Sequence, residues 1–513
     1  MIITRAAMLL LAGLVIVALM LVLKTSMHPF LTRESVPGPT AVKASATEDQ
    51  LDRLAGGLRI PTVSALEYAD TDFTAFDAFK SYLPNAFPRV FTELHHETVN
   101  DYGLILRWKG KNADLKPLLF LSHYDVVPAE QDEGRQIDLN DMNNPEALLN
   151  NQGWKTPPFS GTVIDGALYG RGALDMKGML FAMLEAVDDL LVQNFQPEQD
   201  IWFAISHDDE GGRRQVAVKI AGYQKAKGLQ FESFYDEGGL IAEKETILPD
   251  VTRPLALVGL GEKGYLSLGI TLRGDCAHSS VPPRKSSLVY AAEIVEKLND
   301  NQMPARLITP VASFLDMVGG DMSYASRLVI ANRLLLEPVL LRNLGKNPNA
   351  NALIRTTTAL TMMKGSEAPN VISSTAEVVV NFRLLPGDTV ADVTAHVQKI
   401  CEGYDVTITP MQNTREASKV TSTYSAGYRR ILTVTEGLYP EAVVTPYITV
   451  GGTDAYKYQE LSDAVCRFMP IRLNMDQQQS IHNDNEHISA DKYGLMIEFF
   501  RRMFSESNET EGI

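Results

Sequence analysis

Three apolar runs in the first half of the chain each break off into acidic residues or histidine. PLLFLSHYDVVP (Pro117–Pro128) reads as a buried strand giving way to His123 and Asp125. DIWFAISHDDEGG (Asp200–Gly212) ends in His207, Asp208, Asp209 and Glu210, and FESFYDEGG (Phe231–Gly239) ends in Asp236 and Glu237. Between them lies YGRGALDMKG (Tyr169–Gly178), a glycine-bounded loop carrying Asp175, and then GMLFAMLEAVDDLLVQ with apolar residues at helical spacing. Strand, loop, helix, strand is the rhythm of a mainly parallel α/β sheet. In such sheets the ligand crevice lies outside the carboxyl ends of the strands, so the pattern predicts one cleft faced by all these groups.

The pattern changes after Gly264. YLSLGITLRG (Tyr265–Gly274) alternates, SSLVYAAEIVEKLND has helical spacing, and the stretch from Ala352 to Thr389 reads as antiparallel strands followed by another helix. Strands with helices on one face predict an α+β unit, ferredoxin-like, inserted at 265–408 into an α/β domain made of 48–264 and 409–505. The piece 301–351 is longer than such a unit needs, and its role is open. Beyond the insertion, VVTPYITVGGTDAYKY reads as a strand opening into a Gly-Gly turn, and AVCRFMP as a short strand. Ser489 is placed to cap the final helix, and 506–513 reads as a disordered tail. Glu130–Gln152, rich in Asp, Asn and Glu, reads as a surface excursion near the cleft mouth.

At the start, Ala6–Leu23 carries no charge and is bracketed by Arg5 and Lys24, long enough to cross a bilayer as one transmembrane helix. A cleaved signal peptide is the rival reading, but the nearest small-x-small site, Ala44-Ser45-Ala46, lies far downstream. The expectation is a single-pass anchor over 1–24, a Pro- and Ser-containing extended linker over 25–47, and an extracytoplasmic catalytic part. One basic residue on each side gives the positive-inside rule little to weigh.

Composition narrows the function. The chain has 513 residues and a net charge of −16, which argues against a nucleic-acid partner, since phosphate backbones are bound by clustered Lys and Arg. Cys276, Cys401 and Cys466 are far apart and without CxxC spacing, so neither a zinc knuckle nor a disulfide framework is indicated. The residues at the strand ends suit a different chemistry. Water cleaves an amide when a metal polarises the carbonyl and acidifies the water while a carboxylate takes the proton. His123, Asp175, Glu210, Asp236 and His482 form a set able to hold two ions, and Asp209, beside a ligand, can serve as base. Mixed imidazole and oxygen ligation suits two Zn²⁺, with Co²⁺ or Mn²⁺ as substitutes. Each piece alone has a plain structural explanation; three successive strands ending this way is what counts, because so many buried carboxylates without cations would be costly.

LSHYDVVP, GWKTPPFSG, YGRGALDMKG, HDDEGG, DEGG, AHSSVPP, NVIS with NFRLLPGDT, GGTDAYKY and IHNDNEHIS, in this order, resemble the aminoacylase and carboxypeptidase family of two-zinc metallopeptidases. The nearest branch is carboxypeptidase S with the secreted N-acyl-amino-acid synthase/hydrolases, and the likeness covers about residues 50–505. The resemblance implies that Asp175 bridges the ions, with His123 and Asp236 on one and Glu210 and His482 on the other. It implies that Asp125 orients the His123 imidazole and that Asp209 is the general base, where the family usually has Glu. It further implies that His278 polarises the scissile carbonyl, that Asn370 and Arg383 grip a substrate carboxylate, and that Gly451 and Gly452 form a substrate-contacting turn. His207 and Lys177 are left as structural.

The implied activity is a membrane-anchored hydrolase acting on short peptides or N-acyl amino acids with a free carboxylate. A surface binding protein that kept the fold and lost catalysis, or a nonpeptidic amidohydrolase, are the alternatives. A homodimer is left open, since dimerisation decides whether His278 serves its own cleft or a neighbour's.

Overall fold

The computed structural model describes residues 2–30, 42–65, 68–129, 153–211, 215–243, 248 and 250–506, with side chains from residue 11 onward. The excursion Glu130–Gln152, residues 31–41 of the linker and the tail after Glu506 lie outside the described residues. The strands, in chain order, begin with β1 (His95–Val99), β2 (Gly103–Trp108), β3 (Leu118–His123), β4 (Thr162–Ile164), β5 (Ala167–Tyr169), β6 (Ile201–Ser206), β7 (Ser233–Asp236), β8 (Ile241–Ala242) and β9 (Leu255–Glu262). Then come β10 (Gly264–Arg273), β11 (Ala277–His278), β12 (Thr357–Lys364), β13 (Val371–Ile372), β14 (Thr375–Leu384) and β15 (Val406–Pro410). The last are β16 (Val443–Thr449), β17 (Val465–Arg467), β18 (Arg472–Leu473) and β19 (His487–Ser489). They fall into two compact units: Pro37–Thr246 with Pro254–Gly261 and Lys419–Ile513, and Met1–Val36 with Ile247–Arg253 and Glu262–Ser418.

The first unit is built on a ten-stranded sheet in the order β1-β2-β6-β3-β7-β17-β9-β8-β18, with β16 also on β9. Its centre is parallel: β3 runs with β6 and β7, and β17 with β7. Toward the flanks most pairs are antiparallel, the parallel edge pair β8–β18 excepted, so the sheet is mixed rather than mainly parallel as the sequence pattern suggested. Connection length is the cause. Only Asn100, Asp101 and Tyr102 separate β1 from β2, with Asn100 and Asp101 in the left-handed region at φ 53° and 64°, and so short a turn returns the chain antiparallel. The parallel neighbours are joined through the helices Lys177–Val192 and Gln215–Ala226.

β3 is buried along its whole length because both faces of the sheet are covered. Phe120 packs into the cluster that holds Met179 and Met183 of one helix and Phe500 and Phe504 of the final one, Ala490–Ser505. Leu119 and Leu121 point the other way, into a cluster with Ala217 and Ile220. Ser489 caps the final helix, its hydroxyl accepting from the Lys492 N–H.

The second unit has a four-stranded antiparallel sheet, β12-β14-β10-β15, with the helices Ser287–Asp300 and Val390–Ile400. Strand, helix, two strands, helix, strand is the split βαβ pattern expected for an inserted α+β unit. Alternate residues of β10 and β14, such as Leu268, Ile270, Val378 and Val380, meet Ile294 and Val393 in its core. The long piece between them forms four helices: Thr309–Val318, Tyr324–Ala331, Arg333–Leu344 and Pro348–Ile354.

The helix Ile2–Met27 belongs to this second unit, and its end rests on the first part of that long piece, including the helix Tyr324–Ala331. Asn332 Nδ2 donates to Leu21 O and Thr25 Oγ1, both at 3.1 Å, and His28 Nε2 lies 3.0 Å from Asp316 Oδ1. The Phe30 ring covers Gly319 so closely that a Cβ there would fall 2.5 Å from it. The linker expected to be extended from residue 25 is therefore helical to Met27 and packed to Phe30, because Thr25 and His28 find polar partners. Among the described residues no helix is long and apolar enough to cross a membrane. Ala6–Leu10 of the expected span lie outside the described side chains.

Candidate active site

The site lies in the first unit, where β3, β6 and β7 end side by side. His123 closes β3, and its Nε2 is 3.2 Å from Asp175 Oδ1 and 3.4 Å from Glu237 Oε1. His482 approaches from the other side, with Nε2 2.9 Å from Asp175 Oδ2 and 2.8 Å from Glu210 Oε1. Each oxygen of Asp175 thus faces a different imidazole, the arrangement a carboxylate needs to lie between two ions. Ligand atoms of His123, Asp175 and Glu210 all fall within 4.8 Å of one another, and so do those of His123, Asp209 and Glu237.

Asp125 holds two parts of this arrangement. The His123 Nδ1 is 3.0 Å from the Asp125 carbonyl and 3.3 Å from its Oδ1. The same carboxylate accepts from Ser64 Oγ at 2.6 Å, Glu210 N at 2.9 Å and Asp209 N at 3.2 Å. It therefore sets the ring and the following turn together. Behind Asp209, the buried Asp454 carboxylate accepts from Ser206 Oγ and Lys457 Nζ, both at 2.6 Å, and interacts with Asp209 itself.

At the end of β7 the geometry differs from the expectation. Asp236 turns its oxygens to the backbone, accepting from Glu237 N and Ala455 N at 2.9 Å each, while the next side chain, Glu237, reaches His123. Successive side chains of a strand point opposite ways, so one position decides which carboxylate enters the cluster.

Of the other expected residues, His278, Asn370 and Arg383 belong to the second unit. β11 pairs with β13 there, and Ser279 N donates to Asn370 O at 3.1 Å, which sets the exposed His278 and Asn370 beside each other. The His278 Nδ1 is 2.8 Å from Ser280 Oγ. Arg383 stands on β14 with its guanidinium 4.9 Å from the centre of the Tyr265 ring. Gly451 and Gly452 follow β16 in the first unit, and a Cβ on Gly451 would meet nothing within 4 Å.

The electrostatics fit a cation site. Burial and then the Asp175 charge raise Glu237 to about 8, and the same two causes raise Glu210. Burial opposes a charge on His482, yet its bonds to Asp175 and Glu210 lift it to about 11. For His123 burial likewise acts downward, but bonds to Asp125, Asp175 and Glu237 outweigh it. More negative charge is gathered here than the chain neutralises, and imidazole with carboxylate is a donor set suited to Zn²⁺.

Sequence reasoning missed Glu486. It is fully buried and accepts from Arg171 Nη1 at 2.9 Å and from the N–H groups of Gly172, Leu174 and Asp175 at 3.0, 2.7 and 3.1 Å. Its only signal is its place in IHNDNEHIS. Lys177 donates to Gly57 O and Ile60 O, and His207 sits among Phe73, Phe76 and Tyr102, brought down to about 4 by burial. Both have structural surroundings.

The chain is 32% identical over 460 residues to a probable carboxypeptidase S-like 2 of Dictyostelium discoideum, covering 89% of this chain and 85% of that one. It is 31% identical over 463 residues to the human N-fatty-acyl-amino acid synthase/hydrolase PM20D1, covering 89% and 87%. An M20 family metallo-carboxypeptidase from Sulfolobus solfataricus shares the fold, with a TM-score of 0.62, 21% identity, and coverage of 89% of this chain and 99% of that one. The sequence profile of peptidase family M20/M25/M40 matches residues 119–506, and the chain belongs to that family of metallopeptidases and related hydrolases.

Proposed function

We propose that the protein hydrolyses the amide bond on the amino side of a residue with a free α-carboxylate, in short peptides or N-acyl amino acids, at a two-zinc centre. The observation that carries this reading is the Asp175 carboxylate lying between His123 and His482, with Glu210 and Glu237 beside them. His123, Asp175, Glu210 and His482 hold the ions with a carboxylate from the Asp236–Glu237 pair. Two such ions supply polarisation of the carbonyl and a more acidic water.

The chain's own groups do the rest. Asp209 takes the proton of the attacking water and returns it to the leaving amine. Asp125 keeps the His123 ring in register by holding Nδ1. His278 donates to the carbonyl oxygen as charge develops on it, while Asn370, Arg383 and the Gly451–Gly452 turn bind the substrate carboxylate.

The helix Ile2–Met27 anchors the protein in a membrane, with the catalytic unit extracytoplasmic. Support comes from Leu11, Leu14, Ile16, Leu19 and Met20, apolar and exposed on a helix whose last turns are tied to protein by Asn332.

The test is to measure metal content by mass spectrometry and to screen dipeptides against fatty-acyl amino acids by liquid chromatography, with Asp209→Asn as control. Two ions per chain, turnover in the wild type and a loss of about 10²-fold or more in Asp209→Asn are expected. Zinc bound with zero turnover in both forms would identify a binding protein instead.

A further inference from the structure

The four-helix insertion carries a surface that the catalytic reading leaves unused. Leu21 and Thr25 of the helix Ile2–Met27, and His28 just beyond its end, are drawn against the insertion, whereas residues 11–20 are exposed throughout. The buried Asn332 takes Leu21 O and Thr25 Oγ1, and its neighbour Arg333 bonds both oxygens of Asp316, at 2.6 and 2.9 Å, the carboxylate that also meets His28. The two residues that follow face outward: Leu334 is 91% exposed and Leu335 64%. A polar clamp on the end of one apolar helix is thus flanked directly by a bare apolar step.

The level of that step is set by the clamp. Asn332 grips the helix at Leu21, and the uncharged run ends at Leu23 before Lys24, which at the α-helical rise is about 4.5 Å further along. Leu334 and Leu335 follow within three residues of the side chain that grips the helix at Leu21, close to the level at which the uncharged run ends. At the start of the helix Tyr324–Ala331, whose other end leads into Asn332, Tyr324 is 48% exposed with the Arg327 guanidinium 5.8 Å from its ring centre, a pairing suited to lipid headgroups.

We infer that the insertion is a membrane seat: the Leu334–Leu335 step rests on the lipid bilayer at the boundary between hydrocarbon and headgroups, so that the whole second unit, and not a free linker, is fixed to the membrane. Continuity with the apolar surface of Ile2–Met27 is what favours lipid over a protein partner. The inference rests on the anchoring reading of that helix.

The test uses the full chain with the exposed Cys276 replaced by serine and a nitroxide attached through Leu14→Cys, Leu334→Cys or Glu367→Cys in turn. Each protein is reconstituted in phosphatidylcholine vesicles containing phosphatidylglycerol, and collision of the label with oxygen is compared with collision with a water-soluble nickel chelate. Position 14 should lie in the hydrocarbon, position 334 should show several-fold lower nickel access than 367, and 367 should be in water. Nickel access at 334 equal to that at 367, with 14 still in the hydrocarbon, overturns the seat and leaves the anchor. A label at 14 that nickel reaches removes the anchor and the seat together. Dipolar broadening at 334 that persists at high lipid dilution assigns the step to a second copy of the chain and overturns the lipid assignment.

Discussion

The Glu486 carboxylate accepts the backbone N–H of Asp175 at 3.1 Å, tying the residue that lies between His123 and His482 to a chain segment more than three hundred positions away. With Gly172 N, Leu174 N and the Arg171 guanidinium on the same carboxylate, the loop carrying Asp175 is shaped by one buried acid. Glu486→Ala strips four donors of their acceptor and leaves the buried Arg171 charge without its carboxylate, with backbone carbonyls such as Asn483 O as its remaining acceptors, a loss of about 3–5 kcal/mol. Urea denaturation should show that loss, and the metal-loaded fraction should fall with it. Wild-type stability and full metal content in Glu486→Ala would mean that the loop is held by something else.

Two carboxylates compete for one role at the end of β7. Asp236 is bonded by two backbone N–H groups, and Glu237 is the one that reaches His123. On that geometry Glu237→Gln should lower metal content from two ions toward one, whereas Asp236→Asn should mainly reduce stability by weakening the bond to Ala455 N. Inductively coupled plasma analysis of both variants decides. Loss of an ion in Asp236→Asn with none in Glu237→Gln would return the role to Asp236.

These two sites mark where the sequence is readable and where it is not. His123 and Glu210 stand out because apolar runs stop at them, Asp175 because it sits in a glycine-bounded loop between two such runs, and burial of the strands follows from the same runs. His482 stands in no such pattern, and only its motif connects it to the others. The choice between Asp236 and Glu237 turns on one step of strand alternation, which composition does not reveal. Glu486 is an acid in a polar segment, and nothing local separates a buried carboxylate with four donors from a solvated one. The antiparallel flank escaped notice because the short turn after β1 carries the information, not the strands. The clamp of Asn332 on Thr25 joins positions that are neighbours only in the folded chain.

Acid should drive the metal out. With no ion bound, Glu237 at about 8 and His482 at about 11 hold protons at neutral pH, as does His123, which lies well above its ordinary value. A ligand must give up its proton to coordinate, so binding releases protons and affinity rises with pH. Calorimetric titration of zinc into the metal-free protein, in two buffers of different ionisation enthalpy, should show net proton release at pH 7. Heats that do not depend on the buffer would remove the three groups from the ligand set.

Lys177 gives stability a different pH dependence. Its ammonium group is buried against the Phe79 ring, 4.9 Å from the ring centre, with Gly57 O and Ile60 O as acceptors, and burial lowers it from 10.5 to about 7. Between those two values the unfolded chain binds the proton that the folded chain gives up, so folding is favoured as pH rises through this window. The gain is on the order of a few kcal/mol and is complete only above the unfolded value. Lys177→Met should remove this slope from the pH dependence of urea-denaturation stability, and should lower stability at high pH because two carbonyls lose a donor. A slope between pH 7 and 10 that is the same in Lys177→Met and wild type would assign the effect to other groups.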